Sequence, residues 1–174
     1  MGAYQAKPEP PQISINALDA DVPIIPPIVL LALLVLSLLL AKTVDRFRIV
    51  PDPLSPLKVR AALFALLFGG YLHVHLAAMD ELHAAGSGIA FTPTAGVAKT
   101  GPYTYTRNPF YCGLIFCVMP ALALLFDCGW LVFAIAPMFA WLSKFVIPGE
   151  EAFLSRSFGV EYETYLASTP RWLL

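Results

Sequence analysis

Two separated segments carry the side chains whose types and spacing could do chemistry. Residues 101–113 have the sequence GPYTYTRNPFYCG, and residues 150–171 have the sequence EEAFLSRSFGVEYETYLASTPR. In the first segment, Asn108-Pro109 predicts the start of a helix, because asparagine is a strong N-cap and proline fits the first helical position. Unpaired N–H groups at a helix start attract anions, and neighbouring tyrosine rings suit a cation or a purine.

The second segment adds carboxylates, Glu150 and Glu151. If both segments meet at one pocket, the helix start suits a carboxylate, the rings suit an adenine and a cation, and the glutamates suit an ammonium or ribose hydroxyls. Together these features match S-adenosylmethionine. The same residues also fit a purely structural alternative, in which Arg107 pairs with Glu150 or Glu151 and the tyrosines lie at the membrane interface. Local chemistry leaves both interpretations open.

The composition defines the elements that must position these residues. The chain has 174 residues, of which 58% are hydrophobic and 13% charged, with a mean hydropathy of +0.70. Soluble domains carry about 25% charged residues, so an ordinary water-soluble globule is excluded, and so is a disordered chain. The formal net charge of −1 gives no basic field for nucleic acid. We therefore expect an all-α polytopic membrane protein surrounded by a lipid bilayer.

The apolar runs predict four transmembrane helices, at about residues 22–41, 61–79, 110–126 and 130–147. Each is close to the length that a bilayer crossing requires. The last two are expected to form a helical hairpin, because only a short turn separates them. We expect a single membrane domain over residues 22–174.

Three further segments complete the predicted organisation: a polar N-terminal tail at residues 1–21, a long polar connection at 86–109, and an amphipathic C-terminal helical tail at 148–174. Pro148-Gly149 is expected to end the fourth helix. In the tail, Glu150 and Glu151 then open a short helix.

The hairpin should return the end of the fourth span to the membrane face where the third span begins, so that the connection and the tail cap one pocket. Tyr162, Tyr165 and Trp172 have the character of interfacial aromatic residues. Pro120 and Pro137 should kink the last two spans and open a cavity between them, through which an acceptor enters.

The cysteines and histidines lack the spacing of a metal site. They are His73, His75, His83, Cys112, Cys117 and Cys128. No CxxC pair is present, and residues two apart on a helix point in different directions. We expect no metal and interpret these side chains as buried or cavity-lining.

The two patterns GPYxYxRNPxYxG and EExxLxxxFGxxYxxYxxxxPR occur in this order, separated by the length of a hairpin. Over roughly residues 86–174 the chain resembles the isoprenylcysteine carboxyl methyltransferase and phospholipid methyltransferase superfamily of integral membrane enzymes. The resemblance implies an S-adenosylmethionine-dependent methyltransferase with its cofactor pocket on the cytosolic face. It also implies a lipophilic or amphiphilic acceptor with a carboxylate, amine or thiol.

By position in the motifs, the resemblance implies cofactor contacts from the polar connection, the start of the third span and the glutamate pair. These residues are Ala95, Gly96, Val97, Ala98, Tyr103, Asn108, Pro109, Phe110, Tyr111, Glu150 and Glu151. Arg107 and Glu151 are the candidates for electrostatic assistance to catalysis. Asn108 replaces a histidine of the animal prenylcysteine enzymes, and Val146 stands where those enzymes have a substrate-binding arginine, which argues against a prenylcysteine carboxylate.

Two alternatives remain at this stage. Sterol-reductase-like membrane enzymes share the pattern GPYxYxRxPxY but bind NADPH, whose 2′-phosphate needs a basic cluster that the tail lacks. A non-catalytic membrane partner protein could also keep this fold. The basic residues divide six against five between the two membrane sides, so charge does not fix the orientation.

Overall fold

The protein is described from a computed structural model, which covers residues 26–45, 47–86 and 96–173. These residues form helices and connecting turns, and no strand occurs among them. The predicted polar tail at residues 1–21, and Ala95 among the candidate site residues, lie outside the described part. The predicted all-α class is confirmed.

Four helices in the described residues are long and apolar enough to cross a membrane, as predicted. The first two are α1 (Pro26–Thr43) and α2 (Leu57–Ala84). The third span, Pro109–Phe126, consists of α3 (Pro109–Gly113), a π-helical turn (Leu114–Val118) and α4 (Met119–Phe126). The fourth span, Gly129–Phe158, consists of α5 (Gly129–Trp141), a second π-helical turn (Leu142–Val146) and α6 (Ile147–Phe158). A last helix, α7 (Val160–Ser168), follows Gly159, and short 3-10 turns lie at Asp52–Leu54 and Gly101–Thr104.

The prediction that Pro148-Gly149 ends the fourth helix is wrong, because the helix continues from Gly129 to Phe158. Each π-helical turn stands two residues before a proline, Pro120 in the third span and Pro148 in the fourth. A proline has no N–H and its ring clashes with the carbonyl four residues earlier. In a π-helical turn the carbonyls bond five residues ahead instead, so the helix passes through the proline.

The connection between the third and fourth spans is a tight turn at Asp127, which adopts a left-handed conformation with φ of 50°. Its carboxylate accepts hydrogen bonds from the Arg48 Nε at 2.7 Å and from the backbone N–H groups of Ile49 at 3.0 Å and Val50 at 2.9 Å. Burial alone would raise the pKa of Asp127, but these bonds outweigh burial and hold the pKa below its ordinary value. The turn is thereby fixed to the α1–α2 connection.

The main apolar core lies between the third and fourth spans and the end of the chain. Its buried members are Cys112, Ile115, Met119, Ala134, Met138, Leu142, Val146, Ile147 and Trp172. By contrast, only 6% of the apolar windows of α1 and α2 are buried, which leaves large side chains such as Leu31 and Leu66 exposed. These outer faces suit contact with lipid chains.

Candidate functional site

The start of the third span contacts the end of the fourth span through two of the predicted site residues. The Tyr111 hydroxyl donates a hydrogen bond of 2.6 Å to the Glu150 carboxylate, across 39 positions of sequence. Both side chains are half-buried. The π-helical turn and the continuous helix place Glu150 here, since a helix broken at Pro148 would have directed it differently.

Glu151 lies between two arginines. Its carboxylate accepts hydrogen bonds from Arg107 Nε at 3.2 Å and Nη2 at 2.8 Å, and from Arg171 Nε at 3.1 Å. Arg171 Nη2 forms a further bond to the second carboxylate oxygen. The structural alternative that pairs Arg107 with one of the two glutamates is therefore realised for Glu151, while Glu150 accepts from Tyr111.

Arg107 also binds the backbone at the end of α7. Its Nη1 donates to the carbonyl of Leu166 at 3.0 Å and to the carbonyl of Thr169. Its own backbone N–H donates to the Pro170 carbonyl at 2.9 Å. Arg107 thus holds the described end of the α2–α3 connection, residues 96–108, against the C-terminal tail.

Asn108 occupies the predicted position before the first helical residue, but its side chain does not cap the helix. Its Nδ2 donates instead to the Arg171 carbonyl at 3.0 Å, and the Thr106 hydroxyl donates to the same carbonyl at 2.8 Å. The Asn108 amide therefore anchors the tail beside the helix start. Pro109 is buried next to it.

An aromatic and apolar cluster packs between α2, the α2–α3 connection and α7. Its buried members are Ala78, Ala98, Tyr103, Tyr162 and Tyr165, with Val97, Phe110, Leu154 and Phe158 half-buried against them. Gly96 lies beside it, where an added Cβ would approach the Ala85 carbonyl oxygen to 3.1 Å. The cluster thus brings Phe110 together with the predicted cofactor-binding residues of the α2–α3 connection that the structure describes, on one side of the helix start.

The prediction that Tyr162, Tyr165 and Trp172 are interfacial is wrong, because they are 2%, 6% and 9% exposed. The Tyr165 hydroxyl donates to the Tyr103 carbonyl at 2.7 Å. Burial, aided by the nearby Glu151 carboxylate, raises the pKa of Tyr162 to about 12. An interfacial and a buried aromatic residue give the same helical spacing, so the sequence does not separate them.

An apolar cavity of about 310 Å³ opens between α2 and the third span. The cavity expected between the third and fourth spans stays a prediction. The lining of the observed cavity includes Tyr71 and Val74 of α2, Tyr105 and Thr106 of the connection, and Pro109, Cys112, Gly113, Phe116 and Cys117 of the third span. Gly113 allows the two helices to meet, because an added Cβ would lie 2.5 Å from the Tyr71 ring. α5 continues as an α-helix through Pro137. The cavity adjoins the candidate residue Pro109.

Chemically, the half-buried Glu150 carboxylate beside the Tyr111 side chain suits an organic cation. The described residues contain no group of three or more histidine, cysteine, aspartate or glutamate side chains that could hold a metal ion. Sequence reasoning missed Arg171 as a site residue. Its place in the PR dipeptide was visible, but its contact with Glu151 depends on how the tail folds back.

A family model described as phospholipid methyltransferase matches residues 59–161. The matched range covers more than half of the chain and contains both Tyr111 and Glu150. No curated protein and no solved structure matches the chain. The described residues form four helices long enough to cross a membrane, and two motif residues of the candidate site are in contact. Because the family model matches more than half of the chain, the chain belongs to the phospholipid methyltransferase family.

Proposed function

We propose that the protein is an integral membrane methyltransferase that uses S-adenosylmethionine and acts on a lipophilic or amphiphilic acceptor with a carboxylate, amine or thiol. The observation that carries this proposal is the 2.6 Å hydrogen bond from Tyr111 to Glu150, which brings the two predicted cofactor segments to one place. The family match supports the methyltransferase class.

The residues present fit the chemistry of this cofactor. Glu150 carries a carboxylate for the cofactor's ammonium, oriented by the Tyr111 hydroxyl. Tyr103 and Phe110 lie in one cluster with Ala98 and offer aromatic faces to an adenine or a sulfonium. When bound, the cofactor would supply an electrophilic methyl group. The part of the protein is then to hold the acceptor in line and exclude water.

We assign Arg107 and Glu151 a positioning role instead of direct assistance to methyl transfer. Both oxygens of Glu151 accept bonds from the arginines, and Arg107 is engaged by Glu151 and by the backbone of the tail. This network fixes the α2–α3 connection against α6, and so fixes Tyr111 relative to Glu150. No strong general base is required if the acceptor arrives deprotonated.

We place the apolar part of the acceptor in the cavity between α2 and the third span. The cavity has almost entirely apolar walls and adjoins Pro109, at the start of the helix that carries Tyr111. An amphiphile could therefore reach the site sideways from the bilayer. From the resemblance, we also propose that the site faces the cytosol.

Calorimetric titration of the purified full chain with S-adenosylmethionine tests the proposal. We expect saturable binding that Glu150→Gln weakens by tenfold or more. Glu163→Gln serves as the matched control, because Glu163 is exposed on α7, and it should leave the affinity unchanged. Preferential binding of NADPH would instead favour a reductase-like enzyme, and binding of neither compound a non-catalytic partner; either result would overturn the proposal.

A further inference from the structure

One histidine of the second membrane-spanning helix, His75, faces the third span. The side chain of His75 is half-buried, whereas His73, two residues earlier on α2, is exposed. The His75 ring packs against the Phe110 ring at the start of the third span, with ring centroids 4.7 Å apart and ring planes inclined by 61°. Ionisable side chains inside membrane spans are costly, and those that face the protein interior commonly take part in function. His75 is therefore a candidate for a functional residue.

The orientation of the His75 imidazole is fixed by Tyr71, which lies one helical turn earlier on α2. The Tyr71 hydroxyl and His75 Nδ1 form a hydrogen bond of 3.0 Å. The Tyr71 ring is itself held against the third span at Gly113, where an added Cβ would lie 2.5 Å from it. A hydrogen bond at one imidazole nitrogen sets which nitrogen carries the proton. With Nδ1–H donating to the Tyr71 oxygen, Nε2 carries the lone pair and can accept a proton.

The Tyr71–His75 pair lies between the two parts of the proposed site. Tyr71 lines the apolar cavity, in which we place the apolar part of the acceptor. Phe110, which the His75 ring contacts, belongs to the cluster of Tyr103 and Ala98, in which we place the cofactor. The reacting atom of the acceptor has to reach the methyl group from the cavity, and His75 lies at this boundary.

The carboxylates of the site are engaged by other partners. The Glu150 carboxylate accepts the hydrogen bond of Tyr111 and is assigned to the cofactor's ammonium. Both oxygens of Glu151 accept hydrogen bonds from arginines. Among the described residues, the cavity is lined by no aspartate, glutamate, lysine, arginine or histidine. Of the ionisable side chains described at the site, His75 therefore remains to take a proton from the acceptor.

We propose that His75 is a catalytic residue that accepts, at Nε2, the proton of an amine or thiol acceptor. This inference rests on the proposed function and adds a base to it. An ammonium or a thiol has to lose a proton before its lone pair can attack, and that proton moves to Nε2. The freed lone pair forms the bond to the methyl carbon while the carbon–sulfur bond breaks, and the electrons of that bond stay on the sulfur.

The charge balance of this step suits a site inside a membrane. His75 gains one positive charge as the positive charge of the sulfonium is lost, so the net charge of the site does not change. No additional charge then has to be stabilised in surroundings of low dielectric constant. The adjacent Phe110 ring favours the imidazolium, because aromatic rings attract cations. An ionised carboxylate acceptor has no proton to lose, so its methylation does not need His75.

The test compares three acceptors with the same alkyl chain and different nucleophiles: dodecylamine, dodecanethiol and dodecanoate. Methyl transfer from radiolabelled S-adenosylmethionine to each is measured with the full chain in detergent. We expect His75→Gln to lower kcat for the amine and the thiol by about a hundredfold or more. KM and the dodecanoate rate should stay within about threefold of wild type. His73→Gln is the matched control, because His73 is exposed on the same helix, and it should leave every rate unchanged.

Three outcomes of this comparison would overturn the proposal. An equal loss for all three acceptors in His75→Gln would show a structural role, and unchanged rates would show that no base is needed there. A wild type that methylates dodecanoate alone would show that the site takes no protonated nucleophile. Tyr71→Phe removes the hydroxyl that fixes Nδ1 and should lower the amine and thiol rates by about tenfold. Thermal unfolding in detergent verifies that each variant is folded.

A labelling experiment tests the contact without requiring turnover. The chain has three histidines, so His73→Gln combined with His83→Gln leaves His75 as the single imidazole for diethyl pyrocarbonate. Dodecyltrimethylammonium, at about ten times its dissociation constant, should slow this modification about tenfold, because only unoccupied protein reacts. A chain that keeps only His73 should react equally fast with and without the amphiphile. An unprotected His75 would refute the proposal whatever the activity. Absence of cofactor binding in the wild type would refute the proposed function instead, while the labelling still decides whether His75 meets the acceptor.

Discussion

Arg107 Nη2 and the Glu151 carboxylate lie 2.8 Å apart, although 44 positions of sequence separate them. About a tenth of each side chain is exposed. The pair joins the residue before the helix-starting Asn108-Pro109 to the residue after Glu150. In the proposed function this pair therefore positions the two halves of the candidate site and makes no contact with the cofactor.

Breaking this pair should destabilise the protein more than it affects the cofactor. Glu151→Gln leaves two arginines without their anion, and removing one partner of a buried ion pair costs about 3 kcal/mol. We expect a lower unfolding temperature in detergent and, for the folded protein, an S-adenosylmethionine affinity within about threefold of wild type, because Glu151 is assigned no cofactor contact.

The matched comparison is Glu150→Gln, which should show the opposite pattern, with weak cofactor binding and a small loss of stability. Arg107→Gln combined with Glu151→Gln should cost less than the sum of the single changes, since the pair is coupled. A Glu151→Gln protein with normal stability and abolished cofactor binding would refute the positioning role.

Removal of the Tyr111 hydroxyl tests the orientation of Glu150. Tyr111→Phe keeps the ring but leaves the carboxylate without its 2.6 Å donor. Hydrogen bonds to charged groups are worth about 1.5–3 kcal/mol, so we expect cofactor affinity to fall by about tenfold or more in calorimetry. Tyr105→Phe is the control, because Tyr105 is 71% exposed. Equal affinities for Tyr111→Phe and wild type would show that the bond does not prepare the site.

The features that could be predicted from the sequence are those set by local chemistry. Asn108-Pro109 fixes a helix start because of backbone sterics and the missing N–H of proline, and α3 begins at Pro109. The apolar runs gave the four spans, since bilayer thickness sets their length. Tyr111 and Glu150 were named from their motifs, and their contact follows from the hairpin spacing.

The features that could not be predicted depend on long-range packing. Pro148 is typical of a helix end. The helix continues because the turn at Leu142–Val146 is π-helical, so its carbonyls bond to N–H groups five residues ahead. Asparagine is a residue type that often caps a helix with its side chain, but the Asn108 amide donates instead to the Arg171 carbonyl in the C-terminal tail. Tyr162 is buried because α7 folds under the connection, which helical periodicity alone does not reveal.

The crossing of α2 and the third span should depend on Gly113. Gly113→Ala would place its Cβ 2.5 Å from a carbon of the Tyr71 ring, and overpacking of this kind typically costs about 1–3 kcal/mol. Gly69→Ala is the matched control on α2, because nothing lies within 4 Å of an added Cβ there. We expect thermal unfolding in detergent to show a loss for Gly113→Ala only. Equal unfolding temperatures for the two variants would mean that the helices are free to separate.

The turn at Asp127 should make stability depend on pH in a defined direction. The pKa of Asp127 is held below its ordinary value in the folded protein by Arg48 and two backbone N–H groups. A depressed carboxyl pKa contributes stability above the unfolded-state value of about 3.9, and this contribution is lost as the pH falls through the lower folded-state value. Asp127→Asn should therefore lower the free energy of unfolding by about 1–3 kcal/mol at pH 7, and this deficit against wild type should shrink below about pH 4.

Asp52, which is 95% exposed and 3.9 Å from Arg48, provides the control, since Asp52→Asn should cost less than about 1 kcal/mol. Unfolding temperatures between pH 8 and pH 3 measure both deficits, and an Asp127→Asn deficit that stays constant down to pH 3 would contradict the ionised, hydrogen-bonded carboxylate at this turn.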